Sequence, residues 1–162
     1  MLLLGFSAAG AAPATPALVL HSTHTQESLT VPPWHDAAAQ TAALAAVAHV
    51  LRDHRTGAEH PVDPALLDLL VAVASACGVA PAFEVISGYR SPVTNAALHA
   101  RSAGVSAHSL HMEGRAIDVR LPGCATARLR ETALALRRGG VGYYPSLDFV
   151  HLDTGRVRRW DG

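Results

Sequence analysis

Cysteine, methionine and aromatic residues are scarce in this chain, and charge of either sign is thin. The 162 residues include two cysteines, Cys77 and Cys124. Neither belongs to a Cys-x-x-Cys pair, which argues against thiol redox chemistry. An oxidising compartment would let them pair, but they read more simply as two buried small apolar side chains. Charged residues make up 16%, with Lys plus Arg and Asp plus Glu equal at 13 each. That balance lacks the basic excess of a nucleic-acid binder and the acidic run of a solvating tail. The apolar stretch at the N-terminus is too short to hold a stable bilayer span. Internal repeats are absent, as are linkers after residue 30.

What is present is a globular composition. Hydrophobic residues reach 49%, and a chain of this length can bury one core without disulfides. Ten histidines are many, and six of them (His21, His24, His35, His49, His54, His60) fall in the first 60 residues. Taken singly, each of those six reads as a surface or satisfied polar residue. The opening MLLLGFSAAGAAPATPA resembles the later part of an export signal, with Ala-x-Ala-like sites around Ala11 to Ala17 but no positive region before them. Residues 1–17 therefore read as a truncated export signal or disordered leader, and 18–162 as one domain.

Local patterns divide that domain. Residues 18–31 alternate apolar and polar positions and read as a hairpin or two short edge strands. Asp36 is placed to cap an Ala-rich helix over 37–53, and Asp63 with Pro64 starts a second helix that ends at Gly78. Phe83 to Ser87 has the apolar run of a buried strand, and Ser91-Pro92 begins a third helix reaching toward Gly104. A loop carrying His108, Ser109 and His111 leads into a strand over 116–121, followed by an amphipathic helix over 125–138 stopped by Gly139-Gly140. The end reads as a hairpin around Pro145-Ser146. The sum is an α+β domain, a small antiparallel sheet with helices packed on one side.

Two segments carry chemistry. In the first, His111 and Asp118 stand seven residues apart with Gly114 between them, so the chain can turn tightly and enter a strand. Ala116 and Asp118 then share one strand face, and the small alanine leaves room beside the carboxylate. In the second, His151 and Asp153 share a face, while Asp148 has the opposite parity unless a turn re-aims it. Were these strands neighbours, His111, Asp118 and His151 would converge. Two imidazoles, one carboxylate and an open fourth position make the arrangement of a catalytic zinc. Spacing alone leaves the alternative open, in which these are a loop histidine, a salt-bridged carboxylate and a half-buried histidine.

The pattern Ser-x-His-x-x-Gly-x-Ala-x-Asp with a late histidine resembles the signature of zinc peptidases of the D-Ala-D-Ala carboxypeptidase, lysostaphin and hedgehog-domain superfamily. The stretches LHSTHTQESL, FEVISGYRSPVTNAALHA, SLHMEGRAIDVRLPG and GGVGYYPSLDFVHLDTGRVRRW resemble the YcbK-like murein endopeptidases more closely. The resemblance implies Zn2+ held by His111, Asp118 and His151. It implies a catalytic base three positions before the last ligand, at Asp148, with Asp153 as competing base or as the acceptor that orients a ligand imidazole. It implies that Arg90 binds a substrate carboxylate or the oxyanion, the alternative being that Arg90 braces its loop. Ser109 orders the ligand loop, and His108 is a cleft or surface residue. Tyr143 and Tyr144 are left between cleft and core. The basic tail of Arg156, Arg158, Arg159 and Trp160 is either a glycan contact or a solvated edge. The implied protein is an exported or periplasmic monomer that cuts peptidoglycan cross-link or stem peptides. A carboxypeptidase and a non-catalytic zinc-containing binding domain are the competing readings.

Overall fold

The computed structural model describes residues 16–33, 36–102 and 104–162. The leader, apart from its last two residues, and His35 lie outside them. Thirteen short elements follow in the described chain. They begin with β1 (Leu18–Ser22), β2 (Ser28–Val31), α1 (Ala37–Val50), α2 (Pro64–Cys77) and β3 (Ala82–Ser87). After α3 (Pro92–His99) comes a 3-10 turn over Leu110–Glu113, then β4 (Ala116–Arg120), α4 (Thr126–Leu136) and β5 (Gly140–Tyr144). A second 3-10 turn over Pro145–Leu147 leads to β6 (Phe149–Asp153) and β7 (Arg158–Asp161).

Local chemistry accounts for the helix ends. Asp36 accepts from the Ala39 amide, and Asp63 accepts from the Ala65 amide ahead of Pro64. Gly78 closes α2 in the left-handed conformation, at φ 76°. Ser91 caps α3 through the Thr94 amide, but α3 stops at His99, short of the Gly104 expected from the sequence.

The α+β class holds, and the sheet is larger than expected. Seven strands lie in the order β2-β1-β3-β4-β6-β5-β7. Most pairings are antiparallel, but β1 runs parallel to β3 and β5 parallel to β7. The expected edge pair 18–31 is thus a hairpin in which β1 is interior, and the C-terminal tail adds a strand of its own. Neither pairing is local, so neither leaves a mark on the periodicity of its own segment.

Period-two alternation then divides the central strands. Ile117, Val119, Val150 and Leu152 join the buried core with Leu66, Leu70 and Val73 of α2 and Leu129 of α4. Ala116, Asp118, His151 and Asp153 hold the alternate positions. Cys77 and Cys124 are buried free thiols with their sulfurs 2.9 Å apart. Burial, with the Cys77 thiol beside it, pushes the Cys124 thiol up to about 11, so this sulfur packs as an apolar group at neutral pH. Among the described residues no helix is long and apolar enough to cross a membrane.

Candidate metal centre

The register of β4 against β6 sets Asp118 directly opposite His151 and Ala116 opposite Asp153. His111 reaches the same point from the 3-10 turn before β4. Gly114 ends that turn at φ 64°, and a Cβ there would collide with the Pro61 carbonyl. Only glycine meets both demands, which fixes the spacing from His111 to β4.

The three side chains meet in a tight triangle. His111 Nε2 lies 3.2 Å from Asp118 Oδ1 and 3.1 Å from His151 Nδ1, and the third edge is 2.8 Å. Donor atoms about 2.0–2.1 Å from a tetrahedral zinc stand roughly 3.3 Å from one another, so the triangle is close to the size that ion requires. All three residues are buried.

The neighbours settle which ring nitrogens face inward. His111 Nδ1 is 2.7 Å from the Gly88 carbonyl and can only donate there, which leaves the Nε2 lone pair for the triangle. His151 Nε2 is 3.1 Å from Asp153 Oδ2, which leaves Nδ1. Burial lowers the basicity of His111, only partly offset by Asp118, so this ring is held in the neutral form that a metal ligand needs. Burial alone would raise the Asp118 carboxyl, but the two imidazoles outweigh it and hold the group well below the usual carboxylate range. Burial likewise opposes charge on His151, and here Asp118 and Asp153 prevail and raise its basicity.

Arg90 enters from the loop after β3. Gly88 is obligatory there because a Cβ would meet the Leu51 backbone, and the Arg90 amide donates to the His111 carbonyl at 3.2 Å. Its Nη2 stands 3.6 Å from Asp118 Oδ2, and Nη1 donates weakly to Asn95 at 3.4 Å. Nε is buried with no hydrogen-bond partner among the described residues. The guanidinium thus stands beside the triangle with its hydrogen-bonding capacity only partly used.

Behind Arg90, Asp53 anchors the loop. Its Oδ2 accepts from the Ser91 hydroxyl at 2.6 Å and the Ser91 amide at 2.9 Å, and Oδ1 accepts from the Arg55 amide at 2.9 Å. Burial favours the neutral acid, but hydrogen bonds from Ser91, Thr94 and the backbone overcome it and hold this carboxyl far below its ordinary value. The resulting stabilisation is present above the unfolded value of about 3.9 and disappears as pH falls through the lower folded one. Asp53→Asn is expected to lower stability by about 3 kcal/mol near neutral pH. Thermal unfolding followed from pH 6 to pH 2 should show the two proteins converging in acid.

The triangle lies in a cleft of about 880 Å³ whose wall includes Arg90, His108, Leu110, Phe149, Tyr144 and Trp160. Tyr144 belongs to the cleft wall, whereas Tyr143 packs against the core. Ser109 accepts from the His111 amide at 3.4 Å and so orders the ligand loop. Asp148 is not brought to the cluster. It sits at φ 51° after the second 3-10 turn, accepts from the Thr126 hydroxyl at 2.8 Å and lies 3.5 Å from Arg120. Its left-handed turn before β6 places its carboxylate against Thr126, the first residue of α4.

Sequence reasoning missed the role of Arg158. The tail was read as a glycan contact or a solvated edge, yet Arg158 pairs with Asp153 at 2.6 Å. The sequence reads Gly139-Gly140 only as a helix stop, and the close approach of Arg158 to Gly140 arises from the pairing of β5 with β7.

Comparison with known proteins shows the family. A family model described as Peptidoglycan L,D-endopeptidase MepK, Peptidase_M15_2, matches residues 10–160. The chain belongs to this peptidase family. Among members of the Peptidase_M15_2 family, Peptidoglycan L,D-endopeptidase MepK of Escherichia coli (strain K12) is 41% identical over 143 residues, covering 88% of this chain and 79% of that protein. The Probable peptidoglycan L,D-endopeptidase MepK of Haemophilus influenzae is 44% identical over 115 residues, 70% of this chain and 62% of that protein. No solved structure matches the chain.

Proposed function

We propose that this chain is a zinc-dependent endopeptidase that hydrolyses peptide cross-links of peptidoglycan, and that the bond cut is an L,D-peptide bond. The observation that carries this reading is the convergence of His111 Nε2, Asp118 Oδ1 and His151 Nδ1 in a cleft, with both rings held by outer partners. A zinc ion held by His111, Asp118 and His151 would bring the pKa of a water to about 7 and would polarise the peptide carbonyl. Arg90 stabilises the oxygen that gains charge as the carbonyl is attacked. Leu110, Phe149 and Trp160 give the cleft an apolar wall that limits bulk water around the scissile peptide.

A proton must leave the attacking water and reach the departing amine. With Asp148 turned away, His108 is the imidazole on the cleft wall outside the ligand set, and it takes that role. Asp153 is committed to His151 and Arg158 and serves orientation. Asp148→Asn is therefore expected to keep near wild-type turnover, while His108→Ala loses about 10²-fold or more in kcat. The reverse pattern would return the base to Asp148. The substrate lies outside the cytoplasm, so the protein acts as an exported or periplasmic enzyme, and we take it to work as a monomer.

The test is digestion of intact peptidoglycan with products separated by mass. Zinc-loaded protein should convert cross-linked dimers to monomers, chelator-treated protein should not, and restored zinc should recover the activity. Loss of a single terminal residue would mark a carboxypeptidase instead. Zinc-loaded protein that leaves the polymer intact would make the domain a binding module.

A further inference from the structure

Asp153 is the most enclosed carboxylate at the site, with no exposed surface. Oδ1 accepts from the Gly140 amide at 2.9 Å, the Gly155 amide at 2.8 Å and Arg158 Nη1 at 3.0 Å. Oδ2 faces Arg158 Nη2 at 2.6 Å and His151 Nε2 at 3.1 Å. A carboxylate buried so fully is costly unless a cation compensates it, and the fork of Arg158 grips both oxygens at once.

The sheet explains how a residue of the edge strand reaches that far. β5 lies between β7 and β6, so Arg158 and Trp160 must pass over β5 to touch β6. The parallel register places Arg158 opposite Gly140 and Trp160 opposite Gly142. A Cβ on Gly140 would intrude on Arg158 and Asp153, and one on Gly142 would meet the Trp160 indole at 2.6 Å. Through the two gaps, the Arg158 guanidinium lies 5.0 Å from the Trp160 ring, and the indole in turn lies 5.1 Å from the His151 ring. Trp160 is pinned at its far end, where Nε1 donates to the Tyr144 hydroxyl at 3.0 Å.

We propose that Arg158 is a positioning residue for the metal. Reaching across β5 through the gap at Gly140, it fixes Asp153 so that His151 turns Nδ1 toward the other two ligands. The proposal rests on the metal reading above and adds to it a requirement for the last strand of the chain. Lysine at this position cannot replace arginine fully, because a single ammonium cannot grip both carboxylate oxygens in one plane.

The measurement is zinc affinity by competition with a chromophoric chelator, together with the visible spectrum of the cobalt-substituted protein. Arg158→Gln is expected to weaken zinc binding by about 10- to 100-fold and to alter the cobalt bands. Arg158→Lys should recover part of the affinity, and Arg159→Gln, an exposed neighbour on the same strand, should match wild type. Thermal unfolding of the zinc-free proteins separates this from simple bracing, since a purely structural ion pair would lower the midpoint and leave the affinity and cobalt spectrum unchanged. Tight zinc binding by Arg158→Gln, with an unchanged cobalt spectrum, overturns the proposal and leaves the enzyme reading intact. Should the glutamine variant not fold, wild-type affinity in Arg158→Lys overturns it equally. Wild-type protein that binds no zinc overturns the metal reading itself.

Discussion

Alanine at His151 is expected to empty the site of metal and to lower cross-link cleavage by on the order of 10³-fold or more. The ring supplies one of three inward-facing donors, and the other two do not close a tetrahedral site by themselves. Its loss also leaves Asp118 and Asp153 each without one partner in a buried setting. The two effects separate by measurement. Zinc content by elemental analysis reads the ligand role, and the midpoint of thermal unfolding with and without zinc reads the fold. Zinc should raise the wild-type midpoint and leave that of the variant unmoved. A variant that retains one zinc per chain together with full activity would exclude His151 as a ligand.

The second large effect is expected at Arg90. Arg90→Gln should reduce kcat by about 10²–10³ while zinc stays bound, the loss usual for one preorganised donor at an oxyanion. The substitution leaves the backbone in place, including the amide that donates to the His111 carbonyl, so the ligand loop keeps its brace. The Arg90 side chain makes long contacts to Asn95, Ser87 and Asp118, at 3.4, 3.5 and 3.6 Å, so the stability lost with them should be modest beside the loss of activity. Comparison of kcat with KM decides between roles. A fall in kcat assigns Arg90 to the reacting carbonyl, whereas a rise in KM alone assigns it to a substrate carboxylate. A drop in melting temperature matching the drop in activity would make it a brace.

Much of this was readable in the residues because the signals are local. Asp63, Pro64 and Gly78 bound α2 as their chemistry requires, and Gly114 marks the turn that follows His111. The alternation through Ala116, Asp118, His151 and Asp153 gave the phases of β4 and β6 correctly. Strand parity also set Asp148 opposite to His151, and in the structure Asp148 stands in a left-handed turn before β6 with its carboxylate on Thr126. The resemblance to related peptidases had favoured that carboxylate as the base.

What could not be read is whatever depends on pairings distant in sequence. Nothing in 18–22 shows that β1 is covered on both edges, by β2 and by β3. Nothing in Arg158–Asp161 shows that it lies against β5, so the tail looked solvated. The Gly139-Gly140 pair is a good helix stop and was read as no more than that. Its second cause, the absence of room for a Cβ beside the Asp153 backbone, Asp153 carboxylate and Arg158, exists only in three dimensions.

The division of β4 and β6 into a core face and a chemical face has a consequence for quality control. Sliding β6 past β4 by a single residue would point His151 and Asp153 at the helices and lift Val150 and Leu152 into the cleft. Such a slip would forfeit the metal and the core together. One register therefore guards both, and a chain misregistered here could not keep a sound core around a broken centre.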